Sequence, residues 1–109
     1  MKSIPVIFRR WPEKEGGAVI AIFPTIPGDM NVHTCLSYMH VGQHGACRPD
    51  LLIADTSPCP LYLYRDLKAE LEAAPYEYRL VVVTRLSRRF LKERRAELRS
   101  LPRIPPHGE

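Results

Sequence analysis

The stretch AVIAIF (18–23) decides the fold, because all six of its residues are apolar. Successive side chains of a β-strand point to opposite faces, so an unbroken apolar run needs cover on both faces of a sheet. The stretch therefore predicts a central strand. The β-branched and aromatic residues of PVIFRRW (5–11) and VHTCLSYMHV (32–41) predict a further strand on each side of it along the chain.

Glycine and proline separate these strands. In PEKEGG (12–17) the two glycines permit the positive φ that a tight turn requires. Pro27 and Gly28 suit the two central positions of a type II turn. After the third strand, Gly42 and Gly45 are expected to adopt conformations that a side chain would forbid, and so to end the strand in a loop.

The second half of the chain alternates helix and strand. SPCPLYLYRDLKAELEAAP (57–75) has leucines at helical spacing, with Ser57 as its N-cap. YRLVVVT (78–84) predicts a strand, and a last helix begins after an N-cap at Ser87. RPDLLIADT (48–56) is too short for more than one helical turn or a brief strand. The order βββ-α-β-α predicts an α+β fold, a mostly antiparallel sheet of about four strands with two helices packed on one face.

One domain accounts for the chain. Its 109 residues are too few for two cores, so we assign residues 1–101 to a single α+β domain and residues 102–109 to a proline-rich C-terminal tail. Three cysteines are an odd number, which argues against a disulfide framework. The longest aliphatic run, LVVV (80–83), is far shorter than the ~20 residues of a membrane helix, and the N-terminus lacks the apolar core of a signal peptide. We expect a cytoplasmic protein with no membrane partner.

Histidine and cysteine concentrate in CLSYMHVGQHGACRPD (35–50) and just before it. Imidazole and thiolate are zinc ligands. The candidates are His33, Cys35, His40, His44 and Cys47. Their spacing is not that of a zinc finger, and strand parity places His40 on the face opposite His33 and Cys35. We therefore predict no metal and no cofactor, but a smaller set of His40, His44 and Cys47 could meet if the glycine turn folded back.

The same stretch also has a catalytic interpretation. Cys35 or Cys47 would be a nucleophile with a histidine as its base, and Asp50 or Asp55 could orient that base. We expect instead that Cys35 is a small buried side chain, and we assign no catalytic residue. Polar side chains on a glycine-containing loop often carry binding. The candidate ligand or partner loop comprises His40, Gln43 and His44.

Positive charge concentrates near the C-terminus. Residues 85–103 hold eight of the sixteen Lys and Arg but two of the twelve acids, so this segment carries +6 and the rest of the chain −2. At spacings i, i+4, i+7 and i+11, four cations share a solvent-facing stripe: Arg88, Lys92, Arg95 and Arg99. Arg85, Arg89, Arg94 and Arg103 widen it. A helix dipole favours cations only in the last turn, so cations from the first turn onward predict an anionic partner, either nucleic acid or an acidic protein surface.

The chain resembles a group of small uncharacterised bacterial proteins that are found on chromosomes and on mobile elements, including plasmids and phage. The segments that carry the resemblance are FPTIPGD, TCLSYMHVGQHG, YRDLKAELE and YRLVVV. The resemblance extends from Val6 to Leu98. It implies a bacterial cytoplasm and an accessory role in mobile-element biology, with no activity to transfer to residues of this chain. Cys47 and Cys59 lie outside the shared pattern, which weakens a zinc site that depends on Cys47.

Together these features predict a non-enzymatic accessory protein that binds an anionic partner through its basic C-terminal helix. Two alternatives stay open. One is a small enzyme or metal-binding protein that uses His40, His44 and a cysteine. The other is a protein-interaction module of a mobile element.

Overall fold

The computed structural model describes residues 3–40 and 43–100, and for Gln43 the backbone alone. The strands in this part of the chain are β1 (Ile4–Arg10), β2 (Val19–Pro27), β3 (Cys35–Met39), β4 (Gln43–Cys47), β5 (Ser57–Pro58) and β6 (Leu80–Val82). The α-helices are α1 (Pro49–Asp55), α2 (Leu61–Glu72) and α3 (Arg88–Ser100). The α+β class is confirmed. The expected four strands and two helices are wrong, because β4, β5 and α1 are additional elements.

The six strands form one mixed sheet. Strands β4, β3, β2 and β1 lie side by side in that order and are antiparallel. The outer edge of β1 is shared by two short strands: antiparallel β5 pairs with Arg9 and Arg10, and parallel β6 pairs with the segment from Ile4 to Val6. A parallel pair needs a long crossover connection, and the chain between β1 and β6 supplies it.

Strand β2 is central and both of its faces are buried, as its apolar run predicts. On one face Phe23 belongs to a core cluster with Leu71 of α2. On the other face Ile22 belongs to a second cluster with Leu52 of α1. Helices therefore cover both faces of the sheet, and the expectation that they lie on one face is wrong. The prediction that residues 48–56 are too short for more than one helical turn is wrong, because the seven residues of α1 make about two turns.

Helix α1 is fastened to the sheet by Arg9 of β1. The Arg9 guanidinium donates to the carbonyl oxygens of Ile53 (2.9 Å) and Thr56 (2.6 Å) and to the Thr56 hydroxyl (3.0 Å). The last carbonyls of a helix have no partner within the helix, so an arginine satisfies them well. Burial lowers the pKa of the Arg9 guanidinium.

The turn glycines divide into confirmed and corrected predictions. Gly16 and Gly17 have φ of 103° and 65°, as the β1–β2 turn was expected to require. Gly28 does not have a positive φ, so the type II turn at Pro27 and Gly28 is wrong. A Cβ at Gly28 would lie 2.5 Å from the Cys35 carbonyl oxygen, so glycine is needed there for close approach to β3.

Strand β4 is the largest departure from the sequence expectation. The segment that was expected to form a loop pairs with β3, in register from Met39 opposite Gln43 to Cys35 opposite Cys47. Gly45 lies within this strand and has no positive φ, so the conformation expected of it is wrong. Gly42 lies outside the described residues. Because β4 is an edge strand, polar and small residues suit its exposed positions. Its sequence therefore lacks the apolar pattern by which a strand is predicted.

Of the two predicted helix caps, one is wrong and one is confirmed. Helix α2 begins at Leu61 with Pro60 as its N-cap, and Ser57 lies in β5, so the cap predicted at Ser57 is wrong. At α3 the Ser87 hydroxyl accepts a hydrogen bond from the Arg89 N–H (3.2 Å), which confirms the cap predicted there.

Among the described residues, no helix combines the length and the apolar character needed to cross a bilayer. The tail at 102–109 lies outside them.

Candidate functional site

The basic face comprises Arg88, Lys92, Arg95 and Arg99 of α3. At 3.6 residues per turn, all four lie roughly 140–180° around the helix from Phe90, which is buried. All four are exposed, as the spacing predicts. Within residues 3–40 and 43–100, none of them forms an ion pair with an acid. Their neighbour Arg89 does, with 3.6 Å between its Nε and Glu93 Oε1.

Arg94 does not belong to the exposed band to which the sequence assigned it. Its side chain is 4% exposed, Nε donates to the Val32 carbonyl (2.8 Å), and Nη1 donates to the Pro24 carbonyl (2.7 Å). The register between β2 and β3 shifts between Phe23 and Pro27, so the Pro24 carbonyl lies within an irregularity of the ladder. Arg94 binds this irregular segment and fixes α3 on the sheet. Arg103 lies outside the described residues.

Polar and charged side chains lie past the N-terminal end of α3. A cavity of about 300 Å³ is lined there by His33, Arg48 and Arg88. Asp50 also lines it and pairs with Arg48, with 3.1 Å between Nη2 and Oδ2. The first turn of α3 contains no acid, so its N–H groups add to the positive potential. At this end of α3 the charge of Arg48 is balanced by Asp50, so the excess positive charge lies on the helix itself.

His40 lies just past β3 and contacts α2. Its Nδ1 is hydrogen-bonded to Glu70 Oε1, while the buried Tyr38 hydroxyl donates to Glu70 Oε2. The His40 side chain is 77% exposed. A cavity of about 580 Å³ is lined by His40 and Glu70 together with apolar side chains such as Met39 and Leu67. A carboxylate that orients an imidazole beside a cavity is an arrangement able to bind a small molecule or to transfer a proton.

His44 was expected in a loop but lies in β4. Directly opposite Tyr38 in the strand pairing, it packs its ring on Tyr38 (4.6 Å between ring centroids) and on Tyr76 (5.2 Å). His40 and His44 are therefore both linked to Tyr38, His40 through the shared Glu70 carboxylate and His44 by ring contact. The binding role of this loop stays a prediction. The side chain of Gln43, the third member, lies outside the described residues.

The set of His40, His44 and Cys47 does not converge. His44 lies opposite Tyr38, which belongs to the core cluster beneath α2, whereas Cys47 lies opposite Cys35, which belongs to the cluster on the other face. Within the described ranges no three His, Cys, Asp or Glu side chains are grouped closely enough to hold a metal ion. The metal-binding alternative therefore has no support from this set. The same geometry separates His44 from Cys47, so these two residues do not form the nucleophile–base pair of the catalytic interpretation.

Cys35 and Cys47 instead approach each other, with 3.7 Å between their sulfur atoms. Cys35 is fully buried and Cys47 half-buried. The hydrogen bond shared with Cys35 lowers the pKa of the Cys47 thiol against the opposing effect of burial, and Ser37 and the positive charge of Arg94 act in the same direction as that hydrogen bond. The shared hydrogen bond, burial and the nearby Cys47 raise the pKa of the Cys35 thiol. The expectation that Cys35 is buried is confirmed, but its pairing was missed because β4 was missed.

Comparison of the chain with family models, with curated proteins and with solved structures finds no match in any of the three. The resemblance to bacterial mobile-element proteins therefore stays a prediction. Function has to be inferred from the basic face, the His40–Glu70 contact and the thiol pair.

Proposed function

We propose that the protein binds nucleic acid through the basic face of α3 and acts as a non-enzymatic accessory protein. The observation that carries this proposal is the exposure of four cations on one helix face without an acid partner among the described residues. Like charges at i and i+4 disfavour a helix by a few tenths of a kcal/mol per pair, so intrinsic helix stability does not explain the pattern. Neutralisation of these cations by a bound polyanion explains the pattern.

The length of the basic face suits a polymer better than a small anion. From Arg88 to Arg99 the helix rises about 16 Å at 1.5 Å per residue. One strand of a duplex presents a phosphate about every 3.4 Å along its axis, so the face spans about five phosphates. Contacts of this kind position a protein on the backbone and carry no base specificity. We therefore expect binding that is salt-dependent and largely independent of sequence.

The attachment of α3 supports the proposal. The buried Phe90 and Arg94 hold the helix on the sheet, and the Ser87 cap fixes its start. A rigid row of charges loses less conformational entropy on binding than a flexible arm does. Arg48, which is paired with Asp50, lines the cavity next to the proposed surface at the start of the helix.

The test is fluorescence anisotropy with a labelled 20-base-pair duplex at about 50 mM salt. We expect Arg88→Gln/Lys92→Gln/Arg95→Gln to weaken binding about 100-fold or more, because each lost phosphate contact removes released counterions. The control Lys14→Gln/Arg65→Gln/Arg79→Gln removes the same net charge from exposed positions outside α3. We expect it to weaken binding only a few-fold.

Two outcomes would contradict the nucleic-acid proposal. One is equal weakening by the two triple variants, which would indicate bulk electrostatics. The other is that the unaltered protein does not bind the duplex but does bind an acidic polypeptide such as polyglutamate, which would make an acidic protein surface the partner of the basic face.

The resemblance to mobile-element proteins adds a setting to the proposal, the bacterial cytoplasm. Nucleic acid that copurifies from a bacterial host would support it, and a single stoichiometric protein would favour an interaction module.

A further inference from the structure

The two cysteines of the β3–β4 hairpin meet the geometric conditions for a disulfide. Cys35 and Cys47 are directly opposite each other in the register, at the end of the ladder. Cα atoms of such pairs lie about 4.5–5.5 Å apart, within the range that a disulfide spans. The sulfur atoms are 3.7 Å apart, so they need to move less than about 2 Å to reach bonding distance. The third cysteine, Cys59, is not part of this pair. Its thiol donates a hydrogen bond to the Pro60 carbonyl oxygen (3.8 Å).

The surroundings assign different roles to the two sulfur atoms. Cys47 is half-buried and shares a hydrogen bond with Cys35, while the positive charge of buried Arg94 favours the thiolate. Both influences lower the pKa of Cys47, whereas burial raises the pKa of Cys59. The thiolate is the reactive form of cysteine, so Cys47 is the group that attacks. Cys35 has no exposed surface and can react only with Cys47.

We propose that Cys35 and Cys47 form a redox-active dithiol that reduces a small hydroperoxide and closes to a disulfide between β3 and β4. The half-burial of Cys47 favours a small oxidant over a bulky disulfide, which must align three sulfur atoms in an exchange reaction. This inference is independent of nucleic-acid binding, because the thiols lie outside the basic face.

The reaction has two steps. The Cys47 thiolate attacks one oxygen of hydrogen peroxide, the O–O bond breaks, and hydroxide leaves, so that Cys47 becomes a sulfenic acid. Cys35 then attacks the Cys47 sulfur and forms the S–S bond. Its proton and the sulfenic hydroxyl leave as water, and the hydroxide of the first step takes up a proton from solvent. Two thiols lose two electrons in total, and the peroxide is reduced to two molecules of water.

The test treats the reduced protein with hydrogen peroxide and follows it by intact mass and by non-reducing peptide mapping. We expect the protein to lose two hydrogen atoms, with a Cys35–Cys47 disulfide in the monomer and Cys59 still open to alkylation. Cys35→Ser keeps an O–H donor beside Cys47, and we expect it to accumulate a sulfenic acid that dimedone traps at Cys47. In this variant Cys47 should react about tenfold faster than Cys59 near pH 7, because more of it is thiolate.

Matched variants complete the test. Cys59→Ser should behave as the unaltered protein does, and Cys47→Ser should leave Cys35 as a thiol. Equal oxidation rates at Cys47 and Cys59, or disulfides that join two chains through Cys59, would overturn the proposal. The peptide map of the unaltered protein decides the matter even if a variant does not fold.

Discussion

Arg94 and Arg95 are adjacent in the sequence and carry the same side chain, yet one lies in the core and the other on the basic face. The sequence pattern treated both as exposed cations, because a charged residue is rarely buried. Arg94 lies four residues after Phe90, on the buried side of α3, and its guanidinium is satisfied by two backbone carbonyls. That Pro24 and Val32 would offer those carbonyls depends on the irregular β2–β3 register, which spacing along the chain does not reveal.

This pair gives a stability prediction. Arg94→Met keeps much of the side-chain volume but leaves the Pro24 and Val32 carbonyls without their donors, so we expect a loss of about 2–4 kcal/mol in the free energy of unfolding. Arg95→Met should change it by less than about 0.5 kcal/mol, because Arg95 is exposed and unpaired among the described residues. Urea unfolding of both variants measures the difference. Equal midpoints would show that Arg94 does not anchor α3.

Two glycines give a second comparison. A methyl group at Gly28 would lie 2.5 Å from the Cys35 carbonyl oxygen and 2.8 Å from the Ala46 Cβ, so Gly28→Ala should destabilise the protein by about 1–3 kcal/mol. At Gly45 the nearest atom would be the Ser37 Oγ, at 3.9 Å. Gly45→Ala should leave stability unchanged or raise it by up to about 1 kcal/mol, because glycine is costly within a strand. Thermal unfolding distinguishes them, and a harmless Gly28→Ala would refute the close approach of β2 and β3.

At the scale of elements, sequence patterns located the long and apolar segments and missed the short and polar ones. The central strand and the last helix follow from hydrophobic spacing, which is strong where a segment is buried. In the edge strand β4 three of the side-chain positions that the structure describes, His44, Gly45 and Ala46, are exposed, so the strand shows no apolar alternation. Recognising the hairpin would have placed the two thiols together.

The two serines proposed as caps provide a prediction about helix ends. Ser87→Ala removes the acceptor for the Arg89 N–H, and we expect it to lower the free energy of unfolding by about 1 kcal/mol. Ser57→Ala is the matched control, because Ser57 is exposed in β5 and caps no helix. It should have an effect below about 0.5 kcal/mol. Equal losses for the two substitutions in chemical denaturation would contradict the assignment of the caps.

At the scale of the whole molecule, the sheet separates two different chemical environments. The face beneath α2 carries the tyrosine-rich cluster with His40, His44 and Glu70, and the face beneath α1 carries the thiol pair. The sequence predicts a polar cluster in this region, and the parity of β3 already places His40 on the face opposite Cys35. It does not separate His44 from Cys47, because that separation depends on β4. The charge asymmetry needed no fold to be detected, since it depends on counts along the chain.

The central claim is that the basic face of α3 binds a nucleic-acid backbone, and the salt dependence of that binding tests it most directly. If Arg88, Lys92, Arg95 and Arg99 each neutralise one phosphate, the logarithm of the duplex affinity should fall with the logarithm of salt concentration at a slope of about −3.6. Between 50 and 200 mM salt this amounts to a loss of roughly 100-fold or more. The variant that lacks three of these cations should retain a slope of about −1. A slope near zero for the unaltered protein, or the same slope for the protein and this variant, would contradict the claim.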